Sequence, residues 1–346
     1  MTVRGMLIAH SRRGVAVARP TRDNDPRGHW VISSGLPAHN VRAVARSPTR
    51  GTLWAGTRDA GLWRSDDDGG TWQPGGLPEA QVRSLAFGPL PDGATGQAVY
   101  VGVKPSGLYR SYDDGLTWHE VGGFTTLAKR YRWPTPSEWP PISYVMGIAP
   151  HIEDATRLAV GVEGSGGVWT TRDAGATWRF SRGSILDCHH LRAHPHDAEA
   201  LYEGGAGLGG AGAISRDGGK TWQRIRTPRE AWYGWAIAVD AHDPDFVYVG
   251  ANQGPGLAHG TKPSGAHLYR VEAGARPVEL TGPGAAGRGL PKSFDSFPYA
   301  LATHASEPRV VYAGLADGTI WRGEDAGEKW RRLDVATDSL WAMTLW

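Results

Sequence analysis

The side chains able to do chemistry in this sequence fall into three groups. The first is a set of carboxylates, Glu163, Asp187, Asp295 and Asp338, with Glu230 as a further acid. Two carboxyl groups flanking a pocket can cleave a glycoside, at about 5 Å apart with retention or about 6.5–9.5 Å with inversion. The second is the run Cys188-His189-His190, whose imidazoles titrate near neutrality, so that His190 or His189 could assist an acid. The third is built for holding rather than reacting. Arg42 and Arg83 can clamp an anion, and the rings of Trp133, Trp139, Trp232, Tyr233, Trp235, Tyr299 and Trp341 can stack on a sugar or another flat ligand. The lone Cys188 excludes a disulfide framework and a cysteine zinc cluster, and a pair of histidines alone is weak evidence for metal, so no metal is expected. The Gly-rich stretches lack phosphate-loop spacing, and no cofactor is expected.

These residues are positioned by an internal repeat. SDDDGGTW at 65–72, SYDDGLTW at 111–118, TRDAGATW at 171–178 and SRDGGKTW at 215–222 share one pattern, and GEDAGEKW at 323–330 is a degenerate copy. Asp and Gly between two aromatic-rich runs is hairpin chemistry, because the carboxylate accepts turn N–H groups and Gly tolerates φ > 0. Upstream of the boxes recur LWAGT, VYVGV, LAVGV, LYEGG, VYVGA and VYAGL, and upstream again seven runs that begin at Arg42, Arg83, Met146, His190, Trp235, Tyr299 and Trp341. Their starts are 41, 63, 44, 45, 64 and 42 positions apart. Four short strands per repeat of that length predict propeller blades. The seventh run ends the chain, while the N-terminus supplies three strands without an inner one. The pattern therefore predicts one seven-bladed domain over 1–346, its ring closed by the C-terminal strand.

Period-2 alternation places the seven leading residues in a ring at the channel mouth. Two arginines on one side and aromatics opposite would suit a ligand with an anionic end and a flat end. The two long intervals add 122–143, read as a lid loop carrying Trp133 and Trp139, and the Gly-rich segments 251–267 and 282–297. Glu203 stands in mid-strand where other repeats have Ala or Val, and a buried carboxylate there needs a partner or its pKa rises.

The box pattern resembles the Asp-box, or BNR, repeat Ser-x-Asp-x-Gly-x-Thr-Trp of sialidases, xyloglucan-degrading glycosidases, sortilin-type receptors and photosystem II assembly factors. The resemblance implies an all-β propeller with boxes in outer hairpin turns, away from the ligand face. Asp67, Asp113, Asp173, Asp217 and Asp325 are structural on that reading. Each particular member departs from this sequence, so the resemblance implies the fold and not the activity.

Composition narrows the rest. With 37 basic and 35 acidic residues the net charge is +2, which argues against nucleic acid as a general partner. No apolar run spans a membrane and no secretory h-region is visible, so a cytoplasmic protein is expected. The favoured function is binding of a small polar, anionic or glycan-like ligand, or of a protein segment, at the mouth. The alternative is a glycosidase- or lyase-type enzyme using paired carboxylates on the same face.

Overall fold

Short runs of alternating residues, bounded by Gly, Pro and Asp, can bury themselves only as strands of a sheet. The computed structural model describes residues 3–10, 14–22, 25, 28–77, 80–135, 139–207, 209–272, 274–335 and 337–346. It is an all-β, propeller-like fold in which helices are few and short. Five sheets have four strands each. A sixth has eight, made of two four-strand groups joined where Ala206 pairs with Tyr233. The C-terminal strand Ala342–Leu345 lies antiparallel to Met6–His10, in the sheet continued by Gly14–Pro20 and Trp30–Gly35. Among the described residues no helix is long and apolar enough to cross a membrane.

One contact recurs between neighbouring sheets. The recurrent glycine of the second strand lies against the next four-strand unit, in its inner strand at Gly56, Gly102, Gly161, Gly204 and Gly250 and just before it at Gly314. A Cβ on Gly56 would come within 2.2 Å of Val82, on Gly102 within 2.5 Å of Val145, and on Gly161 within 2.3 Å of Cys188. Gly250 meets Pro298 and Gly314 meets Leu340 in the same way. Each seated residue is followed by a ring position. The inner strands bulge there, with register slips at Val82/Ser84, Val145/Gly147, Cys188/His190 and Pro298/Ala300, and also at Val41/Ala43 and Gly234/Ile237. A bulge re-aims one side chain without breaking the ladder on either side.

The Asp boxes hold the opposite ends of the third strands. In the box at 65–72, Asp67 accepts the Thr71 N–H at 2.8 Å, the Thr71 hydroxyl at 2.7 Å and the Ser65 hydroxyl at 2.8 Å, while Ser65 Oγ accepts the Gly69 N–H. Asp113, Asp173 and Asp217 repeat the arrangement. The Thr71 backbone and hydroxyl donors hold the Asp67 carboxyl down at about 2, and the Thr117 and Thr177 donors do the same for Asp113 and Asp173. The degenerate box differs. Gly323 and Lys329 replace the two hydroxyl residues, and the Asp325 carboxylate instead meets Lys329 Nζ at 2.7 Å. Two box indoles reach the preceding sheet, Trp118 Nε1 donating to the Gly75 carbonyl and Trp222 Nε1 to Ser181 Oγ, whereas Trp178 and Trp330 donate to the Gly175 and Gly327 carbonyls of their own boxes.

The long intervals are more ordered than their composition suggests. Residues Gly122–Tyr131 form an α-helix, not a lid loop, with Phe124 buried and Leu127, Ala128 and Tyr131 on the same face. The Gly-rich segments pair with each other through an Ala266–Phe294 bridge and a Ser264 N–H bond to the Asp295 carbonyl. The glycine seats carry a direct test. Gly102→Ala forces a methyl against Val145 and to 2.3 Å from Ser84 Oγ, which overpacks the junction at a cost of about 1–3 kcal/mol. Its urea midpoint is expected to fall accordingly, and an unchanged midpoint refutes the seat.

Candidate functional site

The inner strands enclose a cavity of about 380 Å³. Arg42, Arg83, Met146, His189, Trp235, Tyr299 and Trp341 all line it, the first six being residues at the bulges. The ring thus contains His189 where His190 was expected. Leu191, two places after His189, matches Val44, Leu85, Ile148 and Leu301, and that apolar position was the signal for the correct frame. His190 lines the cavity one place deeper and accepts a hydrogen bond from Arg192 Nε at 3.0 Å. Burial and the Arg192 charge push its pKa well below the ordinary value, so it stays neutral.

Beside His189, the one member of the three that lines the cavity, lies an acid–imidazole cluster. Asp187 opens an inner strand, His189 is its bulge residue, and Glu163 follows the strand Leu158–Val162 of the neighbouring sheet. One donor atom from each of the three lies within 4.8 Å of the others. His189 Nε2 is 3.2 Å from Asp187 Oδ2, and His189 Nδ1 is 2.7 Å from the Gly234 carbonyl. Asp187 Oδ1 accepts the Gly164 N–H at 2.7 Å. Burial alone would raise the Asp187 pKa, but His189 and the Gly164 N–H prevail and hold it low. Burial alone would lower that of His189, but Asp187 prevails and raises it.

The other wall, formed by Trp235, Tyr299 and Trp341, is aromatic and is backed by a chain of hydrogen bonds. His189 stacks on Trp235 at 4.3 Å, Tyr299 lies 4.4 Å from Trp341, and the Arg42 guanidinium sits 4.0 Å above the Trp341 ring. Tyr233 donates its hydroxyl to His259 Nε2 at 2.6 Å, and His259 Nδ1 meets the Tyr299 hydroxyl at 2.5 Å. Tyr299 donates onward to the Ala258 carbonyl. Burial drives the His259 pKa down to about 4, so this histidine is a neutral link. Sequence reasoning missed His259, which sits in a Gly-rich stretch with no repeat to align it. Arg83 is buried beneath Tyr144, its guanidinium 4.5 Å from that ring, and donates to Gln81.

Other expected site residues lie elsewhere. Trp133 is buried, stacked on Tyr131 at 5.9 Å and packed against Phe124 and Trp169, because the helix before it turns it into the core. Trp139 is 88% exposed and does not line the cavity, and Trp232 is partly exposed with its ring edge-on to Tyr233. Asp295 and Asp338 are exposed and stand outside the Glu163–Asp187–His189 cluster, as does Glu230.

Residues 213–224 match the BNR/Asp-box repeat. No curated protein sequence matches the chain. Solved structures share its fold. The GH74 enzyme of Niastella koreensis is 16% identical with a TM-score of 0.61, over 85% of this chain and 45% of that one. The GH74 xyloglucanase of Xanthomonas campestris is 18% identical at 0.60, with the same coverage. This chain therefore spans less than half the length of those enzymes. YCF48 bound to D1 peptide is 14% identical at 0.52, over 85% of this chain and 82% of that one. The molecule is a propeller-like protein with an Asp-box repeat. It resembles the Asp-box superfamily without matching a particular member.

Glu203 is wholly buried and accepts the Ile185 N–H at 2.8 Å. The expected partner is thus a backbone donor, and burial raises the carboxyl to about 8 against the pull of that N–H and the Arg224 charge. The unfolded chain releases this proton near 4.5, whereas the fold keeps it to about 8, so stability falls as pH rises through that window. Glu203→Gln keeps the amide acceptor and removes the titration. Melting temperatures of the variant minus wild type are expected to grow from pH 5 to pH 8, and a constant difference contradicts the assignment.

Proposed function

We propose that the chain is one seven-bladed propeller domain, closed by its C-terminal strand, whose channel mouth binds a small anionic or glycan-like ligand. The eight-stranded sheet counts as two blades in this reading. The pairing of Met6–Ala9 with Ala342–Leu345 supports the closure. Deleting 340–346 should then abolish cooperative unfolding followed by Trp fluorescence, and a truncated chain that melts like the whole one refutes closure.

The observation that carries the ligand reading is the set of bulges. The residues aimed at the cavity at Arg42, Arg83, His189, Trp235 and Tyr299 are cationic on one side and aromatic on the other. Such a mouth attracts an anionic group while a ring face stacks opposite. The near-balanced net charge argues against nucleic acid as the partner. A cytoplasmic location fits a chain whose one cysteine is a buried thiol.

Catalysis is the second reading, favoured by one geometric fact. Oxygens of Glu163 and Asp187 approach within 4.8 Å, near the spacing of retaining glycosidases. Likeness of fold to GH74 enzymes supports it only as far as the fold.

Thermal shifts with glucuronate, a hexose phosphate and glucose separate the possibilities. The two anions should bind more tightly than glucose. Arg42→Ala should weaken them about tenfold, the loss of roughly 1.4 kcal/mol of charge-assisted bonding. Arg42 is the better probe than Arg83, whose burial under Tyr144 ties its removal to stability. Equal binding by the variant overturns the anion site. Turnover of aryl glycosides that Glu163→Gln abolishes would establish the enzyme instead, and binding of short peptides alone would establish a protein-segment partner.

A further inference from the structure

We propose that Glu163, Asp187 and His189 form a three-ligand site for a divalent transition-metal ion of the zinc class at the channel mouth. Sequence spacing did not suggest it, because the ligands come from two neighbouring sheets. The argument begins with the tautomer of His189. Its Nδ1 lies 2.7 Å from the Gly234 carbonyl, which can only accept, so Nδ1 carries the proton. The neutral ring therefore points the Nε2 lone pair into the cluster, the arrangement in which a backbone carbonyl orients a metal-binding imidazole. Stacking on Trp235 holds the ring plane.

Asp187 is oriented from its far side too. Its Oδ1 is bonded to the Gly164 N–H, which turns Oδ2 toward Nε2 at 3.2 Å. An oxygen lone pair and a nitrogen lone pair at that separation repel unless a proton or a cation lies between them. The distance matches the roughly 3.3 Å edge of a tetrahedron whose ligands stand about 2.0 Å from zinc. Glu163, 3% exposed, brings a second carboxylate within 4.8 Å of both atoms. One nitrogen and two oxygens in a small cluster suit zinc and its neighbours rather than calcium, which takes six to eight oxygens. Cys188 takes no part, since its Sγ lies against Gly161 and the His190 carbonyl. Three protein ligands leave a position for water or for an anionic group of a ligand. Only that last step rests on the ligand reading above.

Full-length protein stripped with chelator is titrated with Co²⁺ alone and then Zn²⁺ alone. One equivalent of Co²⁺ is expected to give the intense visible bands of low-coordinate cobalt, and Zn²⁺ to displace it. Glu163→Gln and Asp187→Asn should each weaken Zn²⁺ binding at least about tenfold, the scale on which zinc-site groups act. His189→Gln should remove the bands. Circular dichroism of each variant guards against misfolding. Absence of a 1:1 complex with the wild-type protein, or variant affinities equal to wild type, overturns the proposal. Because the probe is the metal alone, failure of the sugar acids to bind leaves the metal site standing, and the reverse also holds.

Discussion

Everything at the centre of this protein depends on the absence of one carbon atom. The second-strand glycine of one four-strand unit accepts the next unit at a distance no Cβ would permit, and six junctions, one of them inside the eight-stranded sheet, repeat the device. At five of them the seated group is the side chain just before a ring position, so docking and aiming are one event. The sheet slides in until Val82, Val145, Cys188, Pro298 or Leu340 meets its glycine, and the next side chain is turned to the cavity. At Gly204 the near atom is a backbone oxygen of Trp235 itself, and the outcome is the same. Periphery and centre are thereby separated. Box carboxylates stabilise exposed turns at the far ends of the third strands, and none of them lines the cavity.

Much of this was readable in the sequence because the repeat is short and its punctuation is chemical. Asp, Gly and Trp at fixed spacing could have only one local meaning, and four boxes adopt it. The degenerate copy behaves otherwise because Asp325 has no hydroxyl neighbours to bind, and Lys329 claims it. The ring was legible to within one residue. His189 and His190 are chemically identical, and only the apolar position at Leu191 distinguishes the frames.

What was not legible lies where the repeat is interrupted. The helix at Gly122–Tyr131 has an apolar face, but its glycines and threonines weaken the pattern, and Trp133 follows it into the core rather than over the mouth. Asp295 and Asp338 share a loop composition with true mouth residues, and composition carries no direction. Glu163 and Asp187 meet only through the packing of two sheets, which no local spacing encodes. His259 belongs to a segment whose conformation is set by its pairing partner around Phe294, far along the chain.

The chain of bonds from Tyr233 through His259 and Tyr299 to the Ala258 carbonyl has a direction. A carbonyl at its end accepts only, so every proton along it points the same way and is already committed. The three hydrogens on Tyr233, His259 and Tyr299 are therefore spent inside the protein, and Tyr299, the one member of the relay that lines the cavity, has already given its own to the Ala258 carbonyl.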